Sequence, residues 1–205
     1  MVESGRRRRD PEARRHEIVT AAAELIIEIG VEALTHRKVA ARAGVPLGAT
    51  TQYFATLDDL RGAALQALAE EVDTRLDETR RAAEAGGVTP DVLARLVSEG
   101  LADVRAVQAD RAVVTAAVHD PRLRELARHW SDEVAEFIAP VHGTDRARAA
   151  AVFIDGVLWH AQINEHPLDE RVIRDAIAGI LCSPSTADST EATDTSETIE
   201  RNRLV

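Results

Sequence analysis

The fold of this chain is decided by residues 34–54, which read LTHRKVAARAGVPLGATTQYF. Thr35 can cap a first helix, and Gly44 can end it after about two turns because glycine adopts a positive φ without steric penalty. Residues 45–48 have the composition of a turn, and a second brief helix follows at about 47–54. The pattern predicts two short helices joined by a tight turn, which is the arrangement of a helix-turn-helix.

The second short helix has side chains suited to reading bases in a major groove. Ala40, four residues before Gly44, is small enough for the second helix to cross close above the first. Glutamine can pair with adenine, threonine methyl groups can touch thymine, and the Tyr53 hydroxyl can reach a phosphate. Phe54 is expected to pack inward. The residues expected at the bases are Gly48, Ala49, Thr50, Thr51 and Gln52.

The rest of the chain predicts helices only. Helix-start signals recur at Asp10-Pro11, at Thr56 with Asp59 three residues on, at Thr89-Pro90 and at Asp120-Pro121. A shorter helix must fit between Asp110 and Val118. Since no segment alternates with a period of two, the expected fold class is all-α with about nine helices.

Two C-terminal segments differ from the other helices. Residues 144–161 are apolar nearly all round, and such a helix must be covered on two sides. Residues 167–181 carry one apolar stripe. Together they predict a two-fold four-helix interface between two copies of the chain, while a central core helix of a monomer is the alternative. The candidate interface residues are Val152, Gly156, Trp159, Ile173, Ile177 and Ile180.

Length and composition exclude several classes of protein. The chain has 205 residues, 45% of them apolar, and a formal net charge of −10, which indicates a folded protein with room for a core. A single cysteine, Cys182, cannot form an intramolecular disulfide. The basic residues 6–9 lead into Asp10 rather than an apolar run, and no stretch approaches ~20 apolar residues without a charge. We therefore expect a cytoplasmic protein without a membrane span.

The acidic total conceals an uneven distribution of charge. Residues 1–62 carry ten Lys or Arg and nine Asp or Glu, whereas residues 63–205 carry 15 and 26. The longest acid-free window runs from Ala33 to Leu57 and contains His36, Arg37, Lys38 and Arg42. A polyanion could approach there, although a solvated helix face is the simpler interpretation of the charges alone.

These motifs together resemble the DNA-binding domain of the tetracycline-repressor (TetR) family. The resemblance lies in IVTAAAEL at 18–25, Gly30, LTHRKVAARAGV at 34–45, Gly48 to Phe54 and Leu60, and it spans about Arg14 to Leu65. It implies a homodimeric transcription factor, usually a repressor, whose three N-terminal helices bind a palindromic double-stranded DNA operator. A helical C-terminal domain would bind a small-molecule effector.

The resemblance also assigns roles to individual residues. Thr35 and Tyr53 would contact phosphate, Arg37 and Lys38 would lie near the backbone or groove edge, and Gly48 would allow close approach to the DNA. The candidate DNA-binding residues are Thr35, His36, Arg37, Lys38, Pro46, Leu47, Gly48, Ala49, Thr50, Thr51, Gln52 and Tyr53.

Three positions depart from the family pattern. Pro46 stands where a Ser or Thr cap is frequent, Thr51 where tyrosine is frequent, and Leu57 where lysine is frequent. The last two departures remove phosphate contacts. Binding would then depend more on the basic residues 6–9, which could reach the backbone or a minor groove, unless they are only a solubilising tail.

The resemblance places an effector chamber among helices four to eight, with helix four linking it to the DNA-binding helices. With 3% aromatic residues, an aliphatic or mixed chamber is expected. The candidate lining residues are Leu68, Val72, Leu96, Val97, Leu101, Val114, Val118, Trp130, Phe137, Phe153 and His160. The expected regions are a flexible basic arm (1–9), a helix-turn-helix domain (10–55), an effector-binding and dimerisation domain (56–182) and a disordered acidic tail (183–205).

No pattern in the chain indicates catalysis, a metal or a cofactor. The histidines lack metal-ligand spacing, and no Ser/His/Asp order or glycine-rich phosphate loop has a supporting context. Two alternatives stay open. One is a DNA-binding regulator without a small-molecule effector, which a core lacking a cavity of ~300 Å³ would favour. The other is a helical protein of this fold that has lost DNA binding.

Overall fold

A computed structural model describes residues 10–182, and within that range all regular structure is helical. The predicted basic arm (1–9) and acidic tail (183–205) lie outside the described residues. A single 3₁₀ turn, Val31–Ala33, lies between α1 and α2. The helices are α1 (Pro11–Ile29), α2 (His36–Ala43), α3 (Leu47–Tyr53), α4 (Leu57–Gly86), α5 (Pro90–Ala102), α6 (Val104–Ala117), α7 (Pro121–His142), α8 (Thr144–Ile163) and α9 (Glu170–Cys182).

The helix starts predicted at Asp10, Thr35 and Thr56 are confirmed by their capping bonds. The Asp10 carboxylate accepts from the Glu12 backbone N–H at 2.9 Å, and the Thr35 hydroxyl accepts from the Lys38 N–H at 3.3 Å. Thr56 and Asp59 exchange both bonds of a capping box, at 3.0 and 3.1 Å. Gly44 has a φ of 64° and ends α2 in the left-handed conformation that its sequence position predicts.

Two predicted boundaries are wrong, and capping aspartates explain both. Helix α6 begins at Val104 rather than after residue 110, since the Asp103 carboxylate accepts from the Ala106 N–H at 3.0 Å. Helix α9 begins at Glu170 rather than Pro167, since the Asp169 carboxylate accepts from the Arg171 N–H at 2.8 Å. In each case a side-chain acceptor satisfies an otherwise unpaired N–H of the first turn.

The described residues form two hydrophobic clusters. The head cluster joins α1 and α2 to α4, α6 and the first half of α7, and it includes Leu34, Phe54, Leu60, Leu68, Val113 and Trp130. The distal cluster joins α5, the end of α7, α8 and α9, and it includes Leu93, Ile138, Val157, Ile173 and Ile177. The head cluster contains residues on both sides of position 55, including Phe54 and Leu60, so α4 packs against the helices that precede it. The expected domain boundary after residue 55 stays a prediction.

The structure corrects the predicted interface on α9. Ile173 and Ile177 have no exposed surface and pack into the distal cluster, and Ile180 is half-buried against the same cluster. The apolar stripe of α9 is thus used within the chain, so Ile173 and Ile177 are not available to a partner. Helix α8 is different, because Val152 is 62% and Trp159 58% exposed. No helix in the described range is both long and apolar enough to cross a membrane.

Candidate nucleic-acid interface and ligand cavity

Helix α3 exposes four residues to solvent along one face: Leu47, Gly48, Thr51 and Gln52. Their spacing places them on adjacent turns of one side of the helix. Thr50, predicted to face bases, is 0% exposed, and its hydroxyl donates to the Leu47 carbonyl at 2.8 Å. That prediction is wrong because the side chain of Thr50 points into the head rather than into a groove.

The other residues of α3 hold the helix against the head. Ala49 and Tyr53 are half-buried against the head cluster, and Phe54, just after the helix, is buried as expected. The Arg15 guanidinium lies 5.1 Å from the centroid of the Phe54 ring, within cation–π range. Pro46 forms no side-chain cap at the start of α3. The helix is therefore anchored on one side and open along the other.

The basic residues of the acid-free window are not equally accessible to a polyanion. Arg42 binds Glu28 at 2.5 and 2.9 Å and Glu24 at 3.2 Å, and these bonds raise the pKa of Arg42 and lower the pKa of Glu28. The Lys38 ammonium donates to the Ala33 carbonyl at 2.8 Å. Arg37 is exposed beside Thr35, and the half-buried His36 has an unpaired Nδ1 within the described part of the chain.

The first turn of α4 is bound to the head. The Arg61 guanidinium donates to the Glu32 backbone carbonyl, and to the Asp58 carboxylate of its own turn, at 3.2 Å in both cases. Leu57, which replaces a frequent lysine of the TetR pattern, is half-buried against the head cluster. The start of α4 is therefore bonded directly to the segment that precedes α2.

A cavity of about 360 Å³ lies between α4, α5, α6, α7 and α8. Apolar side chains supply most of its walls, and Trp130 and Trp159 are the aromatic residues among them. The volume is typical of small-molecule sites. A cavity of this size favours an effector-binding protein over the alternative with a filled core. The predicted lining residues that do line it are Val72, Leu96, Val97, Val114 and Trp130.

The remaining predicted lining residues lie elsewhere. Leu68 is fully buried in the head cluster, and Val118 is 62% exposed after the end of α6. Phe137 and Phe153 pack on the distal cluster. Helical spacing marks an inward face, but it does not distinguish a packed interior from the wall of a cavity. Two further predicted lining residues also lie outside the 360 Å³ cavity. Leu101 lines a smaller cavity of about 240 Å³, and His160 is half-buried with an unpaired Nδ1 in the described range.

Sequence reasoning missed the charged residues of the 360 Å³ cavity. Asp110 accepts from the Gln162 amide at 3.0 Å, and Asp155 accepts from the Ser131 hydroxyl at 2.8 Å. Burial, reinforced by the negative charge of Asp155, raises the pKa of Asp110 to about 6. Burial also raises the pKa of Asp155. The signal in the sequence was an acidic residue in an otherwise apolar stretch of α8.

Polar contacts connect the cavity walls to α4. The Trp130 indole of α7 donates to the Asp73 carboxylate, and Arg105 of α6 donates to Glu71 at 2.9 Å. Arg75, which lines the cavity, lies 3.4 Å from the Asp103 carboxylate. Thus α4 is in contact both with the head and with the other helices that line the cavity.

Comparisons with known proteins identify the family. Residues 18–64 match the sequence model of the family described as bacterial regulatory proteins, tetR family. The HTH-type transcriptional regulator PksA of Bacillus subtilis (strain 168) is 38% identical over 69 residues, which amount to 34% of each chain. The chain therefore matches about a third of that relative's length.

Solved structures match over nearly their whole length. A member of the TetR family from Streptomyces coelicolor A3 has a TM-score of 0.69 and 32% identity, over 84% of this chain and 99% of that one. The multidrug binding protein EbrR, solved with imidazole, has a TM-score of 0.68 and 32% identity, over 85% of this chain and 98% of its own. EbrR solved with malachite green has the same TM-score and identity, over 84% and 99%.

Proposed function

Because this chain belongs to the TetR family of DNA-binding transcriptional regulators, we propose that it is a cytoplasmic, dimeric repressor that a small-molecule effector releases from a palindromic operator. One observation carries the effector role. Helix α4 packs in the head cluster, binds the preceding segment through Arg61, and also lines the 360 Å³ cavity. A ligand in that cavity would shift α4 and so change the distance between the two α3 helices of a dimer.

The proposed DNA-reading face is the exposed side of α3. Thr51 and Gln52 would meet base edges, Leu47 and Gly48 would lie close to the groove, and Arg37 would meet the phosphate backbone. Thr35, His36, Lys38, Pro46 and Tyr53 would border the backbone. Thr50 and Ala49 support the helix from inside, because the first is buried and the second half-buried.

The proposed dimer face is the exposed side of α8, centred on Val152, Gly156 and Trp159. Val152→Arg should shift sedimentation toward the monomer, because it places a charge in an apolar contact. Val118→Arg is the matched control, since Val118 and Val152 are both 62% exposed and only Val152 lies on α8. Equal sedimentation of both variants and the parent as dimers would reject this face.

Selection of bound duplexes from genomic fragments at ~150 mM salt tests the DNA-binding role. An enriched inverted repeat is the expected result, since a two-fold dimer reads two half-sites about one helical turn apart. Gln52→Ala should weaken discrimination by about 1–3 kcal/mol at one base pair of each half-site. Absence of enrichment from folded protein would instead favour a helical protein of this fold that has lost DNA binding.

Release of the selected duplex tests the effector role. Malachite green, which EbrR binds in its solved complex, is the first compound to add, with protein-free duplex as a control. Val97→Trp should fill part of the cavity and abolish the release while the duplex still binds. Val118→Trp is the matched control because Val118 lies outside the cavity. Release that persists in Val97→Trp would show that the cavity is not the effector site.

A further inference from the structure

The 360 Å³ cavity contains two carboxylates that lack a positive partner. Asp110 projects from α6 and Asp155 from α8, and each is bonded by a neutral donor, Gln162 and Ser131 respectively. The remaining charged residue of the walls, Arg75, forms an ion pair with Asp103 at 3.4 Å. No Lys, Arg or His of residues 10–182 forms an ion pair with Asp110 or Asp155.

The surroundings of these carboxylates make this lack of a partner costly. A carboxylate held in apolar surroundings loses hydration, and a nearby carboxylate adds repulsion. Both effects act on Asp110, whereas Asp155 keeps exposed surface and is affected by partial burial alone. A neutral ligand would remove more water from these groups without supplying a compensating charge. An anion would add repulsion, whereas a cation would compensate for the lost hydration.

The apolar walls of the cavity place a second requirement on a ligand. Its walls are mostly aliphatic, and Trp130 and Trp159 add aromatic surface that can contact a positive charge or an apolar ring. A small hydrated metal ion would leave this surface unused. An organic ion with a large apolar body and one positive charge suits both the walls and the carboxylates.

We infer that the cavity selects organic monocations, whose apolar body contacts the aliphatic and tryptophan walls while the positive charge faces Asp110 and Asp155. The inference rests on the effector site proposed above and specifies its ligand class. Selection comes from charge, so an anion of the same shape is excluded.

Tetraphenylphosphonium and tetraphenylborate provide the test, because they are close in size and shape and opposite in charge. Triphenylphosphine oxide serves as a related uncharged probe. Calorimetric titration of the full chain at neutral pH should show saturable binding of the phosphonium and at least about tenfold weaker binding of the other two. Asp110→Asn and Asp155→Asn should each weaken phosphonium binding by about tenfold, because each removes one of the facing charges.

Asp132→Asn is the matched control for the net charge of −10, since Asp132 is an exposed residue of α7 outside the cavity. This variant should bind the phosphonium as the parent does. The inference is overturned if Asp132→Asn weakens binding as much as Asp110→Asn, if neither cavity variant weakens it, if the borate or the oxide binds equally well, or if the phosphonium does not bind.

Operator release separates this inference from the effector role itself. If the phosphonium binds through Asp110 and Asp155 but the operator complex stays intact, selection for cations stands and the effector role fails. If the oxide fills the cavity and releases the operator as well as the phosphonium does, the effector role stands and selection for cations fails.

Discussion

The head and the cavity differ in how their charged groups are paired and in how tightly their side chains pack. In the head, Arg42 is matched by Glu24 and Glu28, and the Lys38 ammonium is bonded to a backbone carbonyl. In the cavity, Asp110 and Asp155 have only neutral donors. The head cluster packs side chains such as Leu68 without exposure, whereas about 360 Å³ stays open between α4 and α8. Arg42 and Lys38 of the head therefore have partners within the chain, whereas the open cavity can accept another molecule beside Asp110 and Asp155.

The largest expected effect on stability comes from truncating a fully buried side chain of the head cluster. Leu68→Ala should lower the free energy of unfolding by about 2–5 kcal/mol, because it leaves a void in a fully buried site. Leu96→Ala removes the same atoms from a half-buried side chain that already borders the cavity, so its loss should be about half as large or less. Urea unfolding monitored by circular dichroism measures both values.

Equal losses for these two leucine variants would contradict the contrast between a packed head and an open cavity. Leu96 would then contribute as much packing as Leu68 does. Titration with tetraphenylphosphonium provides a second readout, since Leu96→Ala enlarges the cavity and should alter the affinity, while Leu68→Ala should not as long as the protein remains folded.

A smaller effect is expected from the uncompensated charge of Asp110. Folding raises the pKa of this carboxyl from 3.8 to about 6, so the folded state binds the proton more tightly than the unfolded state. Asp110 therefore costs stability above pH 6, and this cost disappears as the pH falls through 6 toward 4. Asp110→Asn should stabilise the protein by about 1–3 kcal/mol at pH 7.5 and by almost nothing at pH 4.

Unfolding curves of the parent and Asp110→Asn across this pH range measure the difference. Asp155, whose pKa is also raised, and Arg75, which pairs with Asp103, remain in both proteins as the other charged groups of the cavity. Asp132→Asn again serves as the control and should show no such dependence on pH. A constant stability difference between pH 4 and pH 7.5 would mean that the Asp110 carboxyl is as well hydrated when folded as when unfolded.

Two adjacent threonines of α3 are expected to differ in function, one stabilising the fold and the other contacting bases. Thr50→Ala should lower the free energy of unfolding by about 1–2 kcal/mol and leave base preference unchanged, because Thr50 is buried and bonded inside the head. Thr51→Ala should change stability by less than about 0.5 kcal/mol and weaken discrimination at one base pair. Competition between selected duplexes that differ at single base pairs measures the preference. A change of base preference in Thr50→Ala would show that Thr50 takes part in base reading.

Local signals predicted the short helices of the head and the turn between α2 and α3. Capping residues, Gly44 and the spacing of apolar residues fix short helices within a few residues of one another, and these interactions are visible in the sequence. Thr50 was misplaced because a residue type suited to base contact was assumed to be exposed. In a seven-residue helix, a threonine can equally turn inward and bond the backbone of its own first turn.

The cavity was predicted only in part because it depends on tertiary arrangement. Val72 and Leu96 line it while Leu68 and Phe137 do not, although all occupy inward helical positions. Which inward face meets a void is set by the relative placement of five helices. The apolar stripe of α9 was misassigned for the same reason, since only the packed chain shows that α5 and α8 already cover Ile173 and Ile177.

The smallest expected effect concerns the junction of the two regions. Leu57 is half-buried at the start of α4, where its side chain packs on the head cluster instead of supplying a positive charge. Leu57→Lys should lose less than about 1 kcal/mol of stability, because a lysine stem retains part of the packing. It should steepen the dependence of log affinity on log salt by about two units, since each protomer of the proposed dimer gains one phosphate contact. Filter binding between 50 and 200 mM salt, with Leu57→Met as the uncharged control, measures the slope. An unchanged slope would place this end of α4 out of reach of the phosphate backbone.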